Sequence, residues 1–250
     1  MRPQFDSTAW SAIMAAQGAD SVVARDALQV LCQRYWPPLY AYLRSKGHAR
    51  EAAEDLTQEF FARLLASDLI QRADPARGRF RTFLLGCLDH FLHDEWDRQS
   101  AAKRGGAAKR GGAAKRGGAT VPLSLDFELG EGRYAALDQT AADPRLAFDR
   151  QWAETLLDTA VERLEDEYRG ANALETFEAL RACLGRGEEE PPTYAAAAER
   201  LGISEGAVRV AVHRMRKRFA ALTRDEIGQT VDGEEAIREE LAYLVRVMSG

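Results

Sequence analysis

The sequence predicts an all-α protein of two small helical domains, a helical bundle and a helix-turn-helix domain, joined by a flexible basic linker. Three observations carry this expectation. Apolar residues recur at helical spacing and almost never alternate with a period of two. Ala, Leu, Arg and Glu, all good helix formers, are abundant. Between the two helical regions the hexapeptide AAKRGG occurs three times unchanged, at 101–106, 107–112 and 113–118. Its paired glycines oppose a helix, each at about 1 kcal/mol, and its period is far too short for a solenoid unit.

Each element follows from local signals. Residues 8–17 and 20–46 read as helical, with Pro37 and Pro38 forcing a break or a fresh start near Trp36. Gly47 is a helix stop. Residues 49–66 form the clearest amphipathic helix, with Ala53, Leu56, Phe60, Leu64 and Leu65 on one side and Glu51, Glu54, Asp55, Gln58 and Glu59 on the other. Asp74-Pro75 and Gly78 mark 68–78 as a loop. A helix over 79–100 then carries Phe80, Phe83, Leu84, Cys87, Leu88, Phe91 and Leu92 as its apolar stripe. After the repeats, 119–147 reads as irregular. Helices are expected over 148–168 and 172–184, a hinge over 185–192, helix with one sharp break at Gly202 over 193–222, and an amphipathic tail helix over 232–248. The domains expected are therefore 1–100, a linker 101–147, a second domain 148–224 and an acidic helical tail 225–250.

Composition narrows the class. Of 250 residues 46% are hydrophobic and 29% charged, which fits a folded chain. No run of 18 apolar residues offers a membrane span, and polar groups such as Asp6, Ser7, Gln17 and Asp20 interrupt any signal-peptide core. Cys32, Cys87 and Cys183 are far apart without CxxC spacing, which suits a reducing cytoplasm. The net charge of −5 is unevenly placed: the segment 101–118 carries +6 and 193–224 carries +5, against −10 over 119–192 and −5 over 225–250. Two basic islands in an acidic chain point to local contacts with a polyanion.

The segment Tyr194–Arg218 reads as a helix-turn-helix. Gly202 permits a left-handed turn and Ser204 caps the next helix. Ala198 is small where the helices approach, and Leu201, Ile203, Val208 and Ala211 are expected to be buried. Basic residues Arg209, His213, Arg214, Arg216, Lys217 and Arg218 suit phosphate contacts, while Glu205, Gly206 and Arg209 can face base edges in a major groove. Over 79–98, Phe80, Phe83, Phe91 and Trp96 interleave with Arg79, Arg81 and Arg98, a mix that can stack unpaired bases or simply pack. His90, His93 and Asp94 have the spacing of a partial metal site but no partner motif, so no metal and no cofactor are expected. No nucleophile elbow, phosphate-binding glycine loop or dinucleotide fingerprint occurs, so covalent catalysis is not expected.

AAEDLTQEFFARLL (52–65) and FRTFLLGCLDHFLHDEWDR (80–98), followed by this helix-turn-helix, resemble a bacterial RNA polymerase sigma factor of the small extracytoplasmic-function (ECF) type. The resemblance implies binding of the RNA polymerase core, at the β′ clamp helices, through Glu54, Asp55, Gln58, Glu59 and Phe61. It implies recognition and melting of the −10 element through Arg79, Arg81, Phe83, His90, Asp94, Trp96 and Arg98. It implies reading of the −35 element, next to the β flap, through Ser204, Glu205, Gly206, Arg209, His213, Arg214, Arg216 and Lys217. Where the family often has Asp-Ala-Glu-Asp this chain has Ala52-Ala53-Glu54-Asp55, and where it commonly has Trp and Asn this chain has Phe83 and His90. The partners implied are core polymerase and promoter DNA, with room for a regulator that the sequence does not identify. The alternatives are a stand-alone helix-turn-helix regulator and, behind it, an enzyme with a His-Asp site at 90–94; an acidic helix linked to an aromatic–basic one favours the sigma factor.

Overall fold

The computed structural model describes residues 22–66, 78–103, 125–136, 143–186, 190–231 and 233–249. Among these residues it contains nine α-helices and no strand, so the all-α expectation holds. None of the described helices is long and apolar enough to cross a membrane. The chain forms two compact units: Met1–Ala153 with Gln229–Gly250, and Glu154–Gly228.

In the first unit α1 (Val22–Ser45) passes straight through Pro37 and Pro38, contrary to the expected break. Two prolines remove two amide donors. Against that loss stand Tyr35, Trp36, Leu39, Tyr40 and Leu43, all buried around the proline pair. Tertiary packing here overrides a local signal. Helix α2 (Arg50–Ala66) buries Ala53, Thr57, Phe60, Phe61 and Leu64, with the Thr57 hydroxyl donating to the Ala53 carbonyl at 2.7 Å. Helix α3 (Phe80–Lys103) buries Phe80, Leu84, Leu88 and Phe91. Phe60 packs edge-on to Phe91 at 5.7 Å, and Phe80 edge-on to Tyr35 at 5.2 Å. The Tyr42 hydroxyl donates to Asp89 at 2.6 Å, tying α1 to α3.

The stretch expected to be irregular contains α4 (Phe127–Ala136) and the start of α5 (Pro144–Gly170). Both begin at aspartates: Asp126 accepts from the Leu129 amide at 3.1 Å and Asp143 from the Arg145 amide at 2.9 Å. Pro144 then fits the first helical position, where no amide is needed. Gly130 explains why α4 does not read as a helix. A Cβ there would lie 2.6 Å from Trp36, so the glycine that weakens the helix is what lets it dock on α1. Phe127 sits against Trp36 at 5.3 Å and Tyr40 at 5.6 Å. The repeats from Arg104 onward lie outside the described residues, as do 137–142.

Helix α9 (Glu234–Ser249) belongs to this first unit, so the segment expected as a separate tail is part of its packing. Leu244 and Val247 are buried, Trp152 of α5 packs against Tyr243 at 6.4 Å, and Arg34 donates to Gln229 at 2.6 Å.

The second unit holds the remainder of α5, α6 (Leu174–Leu180), a 3-10 turn (Arg181–Leu184), α7 (Tyr194–Leu201) and α8 (Glu205–Gly228). Its core joins Leu164, Phe177, Leu180, Ala198, Val208, Val212, Met215 and Leu222. Thr193 caps α7 by accepting from the Ala196 amide at 3.2 Å, and Ser204 caps α8 by accepting from the Ala207 amide at 3.2 Å. Gly202, at φ 64°, makes the left-handed turn between them. Ile203 departs from expectation: it is 40% exposed rather than buried.

Candidate functional site

On α2 two of the expected polymerase contacts, Asp55 and Gln58, project into solvent and have no side-chain partner among the described residues. Glu54 accepts from Arg50 at 2.9 Å, and Glu59 pairs with Arg63 one turn on. Both pairs keep these carboxylates near the surface, where such i, i+4 contacts contribute only about 0.3–0.5 kcal/mol and are readily exchanged. Phe61 is different. It is 1% exposed and packs on Phe60, so it cannot meet a partner and supports the helix from inside.

Helix α3 sorts its candidates into two groups. His90, Asp94 and Arg98 are exposed, and their spacing of four places them with half-buried Phe83 along one side. Trp96 is 66% exposed but lies roughly 120° around the axis from His90, stacked edge-on with His93 at 6.4 Å. Arg98 leans on Glu95 at 2.8 Å.

Arg79 and Arg81 are corrections to the expected −10 set. Arg81 is buried, donates to Asp149 at 2.5 Å and to Glu240 at 3.4 Å, and lies between the rings of Tyr243 (4.3 Å) and Trp152 (4.8 Å). Burial works against its charge, but Glu240 and Asp149 outweigh that and raise its pKa. Asp149 also accepts from the Tyr243 hydroxyl at 2.5 Å. Arg79 pairs with Glu240 and with Glu239 at 3.3 Å. These two arginines fasten α9 to α3. Sequence reading missed this because the partner carboxylates are about 160 residues away.

On α8 the expected −35 set also divides. Ser204 is spent as a cap. Glu205, Gly206, Arg209, His213, Arg214 and Lys217 are exposed, with the Arg209 guanidinium 5.9 Å from the Tyr194 ring. Arg214 and Lys217 have no side-chain partner among the described residues. The Nε of Arg216 donates to the Cys183 carbonyl at 2.8 Å, so this side chain ties α8 to the 3-10 turn. Arg218 makes a two-pronged contact with Glu167, at 2.8 and 2.6 Å, which lowers the Glu167 pKa.

Among the described residues no group of three or more His, Cys, Asp and Glu side chains is arranged to hold a metal ion.

Compared with known proteins, residues 31–102, which span most of α1 and all of α2 and α3 but its last residue, match the family model of sigma-70 region 2. Sigma-70 region 2 belongs to sigma factors, which act in promoter recognition and RNA polymerase binding, and the match, which covers this helical unit and not the rest of the chain, supports a sigma-70 family sigma factor. No curated protein and no solved structure matches the chain.

Proposed function

We propose that this chain is an ECF-type sigma factor, which binds core RNA polymerase and directs promoter recognition, DNA melting and the start of transcription. The observation that carries the proposal is the acidic face of α2, where Asp55 and Gln58 stand free inside the sigma-70 region 2 match. That face meets the β′ clamp helices, with Glu54 and Glu59 exchanging their arginine partners for the polymerase. The exposed side of α3, with Phe83, His90, Asp94 and Arg98, faces the −10 element, and Trp96 offers a stacking surface beside it. Each unstacked base costs a few kcal/mol, which stacking on aromatic rings and phosphate contacts offset. The second unit brings the exposed side of α8 to the −35 element, next to the β flap. None of these binding steps requires covalent chemistry.

Run-off transcription tests the proposal, using the full chain, core polymerase and a pool of genomic fragments from the source organism. Discrete transcripts should form that core alone does not make, and Asp55→Ala with Gln58→Ala should remove them. A chain that bound duplex DNA but never co-purified with core would instead be a stand-alone regulator.

A further inference from the structure

We infer that Val210 reads a thymine methyl group in the major groove. This rests on the proposal that α8 is the helix that enters DNA, and adds a base contact that the cationic residues do not supply.

The placement comes first. Gly206, Val210, His213 and Lys217 follow one another at intervals of four, three and four, so they form a single line along α8. Arg209 and Arg214 flank it. Val210, 49% exposed, is the one apolar group in this stripe. The core does not need it, because Val208 and Val212 on the opposite side are fully packed. A solvated helix position gains nothing from valine, which is a poorer helix former than Ala, Lys or Arg. Single exposed apolar residues are ordinary on protein surfaces. What sets this one apart is its company: four cationic or titratable side chains and a glycine.

Gly206 adds the second observation. A Cβ there would meet only the Ser204 hydroxyl, at an ordinary contact distance of 3.9 Å, so packing does not require a glycine at this position. The first turn of α8 therefore presents bare backbone on the same line as Val210. A helix can seat this end deeply in a groove, which brings the side chain one turn later to the base edges.

The chemistry then selects the base. In the major groove guanine, adenine and cytosine present donors and acceptors, and thymine alone among the four bases adds a methyl group. Valine can neither donate nor accept. Against a polar edge it strips water and returns no hydrogen bond; against the thymine methyl it buries apolar surface on both sides. Removing one buried methyl should weaken binding by about fourfold. Arg209, leaning on the Tyr194 ring, stands beside this contact and is free to reach a guanine or a phosphate.

The test is a binding selection with the full chain on core polymerase. The probe is a pool of randomised duplexes, prepared once with thymine and once with uracil, which lacks only the methyl. In the thymine pool one position should favour thymine; in the uracil pool that position alone should lose its preference. Val210→Gln should erase the same preference in the thymine pool, and Val210→Ile should keep it. The selected duplex should bind the parent chain about fourfold better with thymine than with uracil at that position, and 5-methylcytosine there should outbind cytosine. Identical motifs from both pools, or a Val210→Gln motif that still holds the thymine, would overturn the inference while leaving DNA reading by α8 standing. If no pool yields a motif and the chain still binds core, it is the −35 proposal that fails, and the inference falls with it.

Discussion

Arg81 and Glu240 meet in the interior of the first unit although 159 residues separate them along the chain. Glu240 is 1% exposed, and the Arg81 Nε faces its Oε2 at 3.4 Å as an ion contact without hydrogen-bond geometry. The pair therefore depends on Asp149 and on the two flanking rings for the rest of its stabilisation. Glu240→Ala should lower the stability of the full chain by about 3 kcal/mol, because it leaves a buried guanidinium short of a counter-charge. The check is denaturant unfolding. An unchanged midpoint would mean that α9 is not held by this pair.

Gly130→Ala sets two effects against each other. Alanine improves the helix by about 1 kcal/mol, whereas overpacking against Trp36 costs about 1–3 kcal/mol. Because the new methyl would lie 2.6 Å from a buried indole, the variant should be destabilised or α4 should undock. Thermal unfolding together with tryptophan fluorescence reads either result.

Glu131 gives a pH dependence with a definite sign. Hydrogen bonding from Arg44 holds its carboxyl below the usual glutamate range, against a smaller opposing effect of burial. A carboxylate depressed in the folded state stabilises it fully at neutral pH and loses that contribution as pH falls through the folded value. The docking of α4 should therefore weaken on acidification below about pH 5, and Glu131→Gln should flatten that part of the stability profile. Parallel profiles for parent and variant would rule this out.

Asp55→Ala with Gln58→Ala should abolish co-purification with core polymerase and leave the unfolding free energy within about 0.5 kcal/mol of the parent, as surface changes do. Phe61→Ala should do the reverse in cause: about 3–5 kcal/mol of stability lost through a cavity, with any loss of binding following from that. Far-UV dichroism beside the pull-down separates the two.

Salt dependence distinguishes the basic residues of α8. Removing Arg214 or Lys217 should each lower the slope of log K against log salt by about 1, if each meets one phosphate. Arg216→Ala should instead destabilise the second unit by about 1 kcal/mol through the lost bond to the Cys183 carbonyl, with the slope less affected. Equal slopes for all three variants would contradict this division.

Features governed by neighbouring residues were legible in the sequence. Gly202 and Ser204 obey local turn and cap chemistry, and the structure places both as expected. Phe60 and Leu64 follow the helical period into the core. Where distant residues decide, the sequence was silent or misleading. Pro37 and Pro38 signal a break that the surrounding aromatic core suppresses. Gly130 looks like a breaker until Trp36 is placed against it. Arg79 and Arg81 look like phosphate contacts until Glu239, Glu240 and Asp149 are found beside them. On α8 the eye goes to the charges, and Val210 passes as one more aliphatic residue.

The return of α9 to the first unit has a consequence for biosynthesis. The second unit, Glu154–Gly228, is continuous and can fold as soon as it leaves the ribosome. The first unit cannot finish at its place in the queue: Arg81 emerges well before the carboxylate of Glu240 that neutralises it. Until Glu234–Ser249 is synthesised, Arg79 lacks both of its carboxylate partners and Arg81 has only Asp149, a state that invites holding by a chaperone or by an acidic surface. Translation thus completes the later unit before the earlier one, and a ribosome stalled before Gly233 would release a chain with half of its architecture finished and the other half waiting.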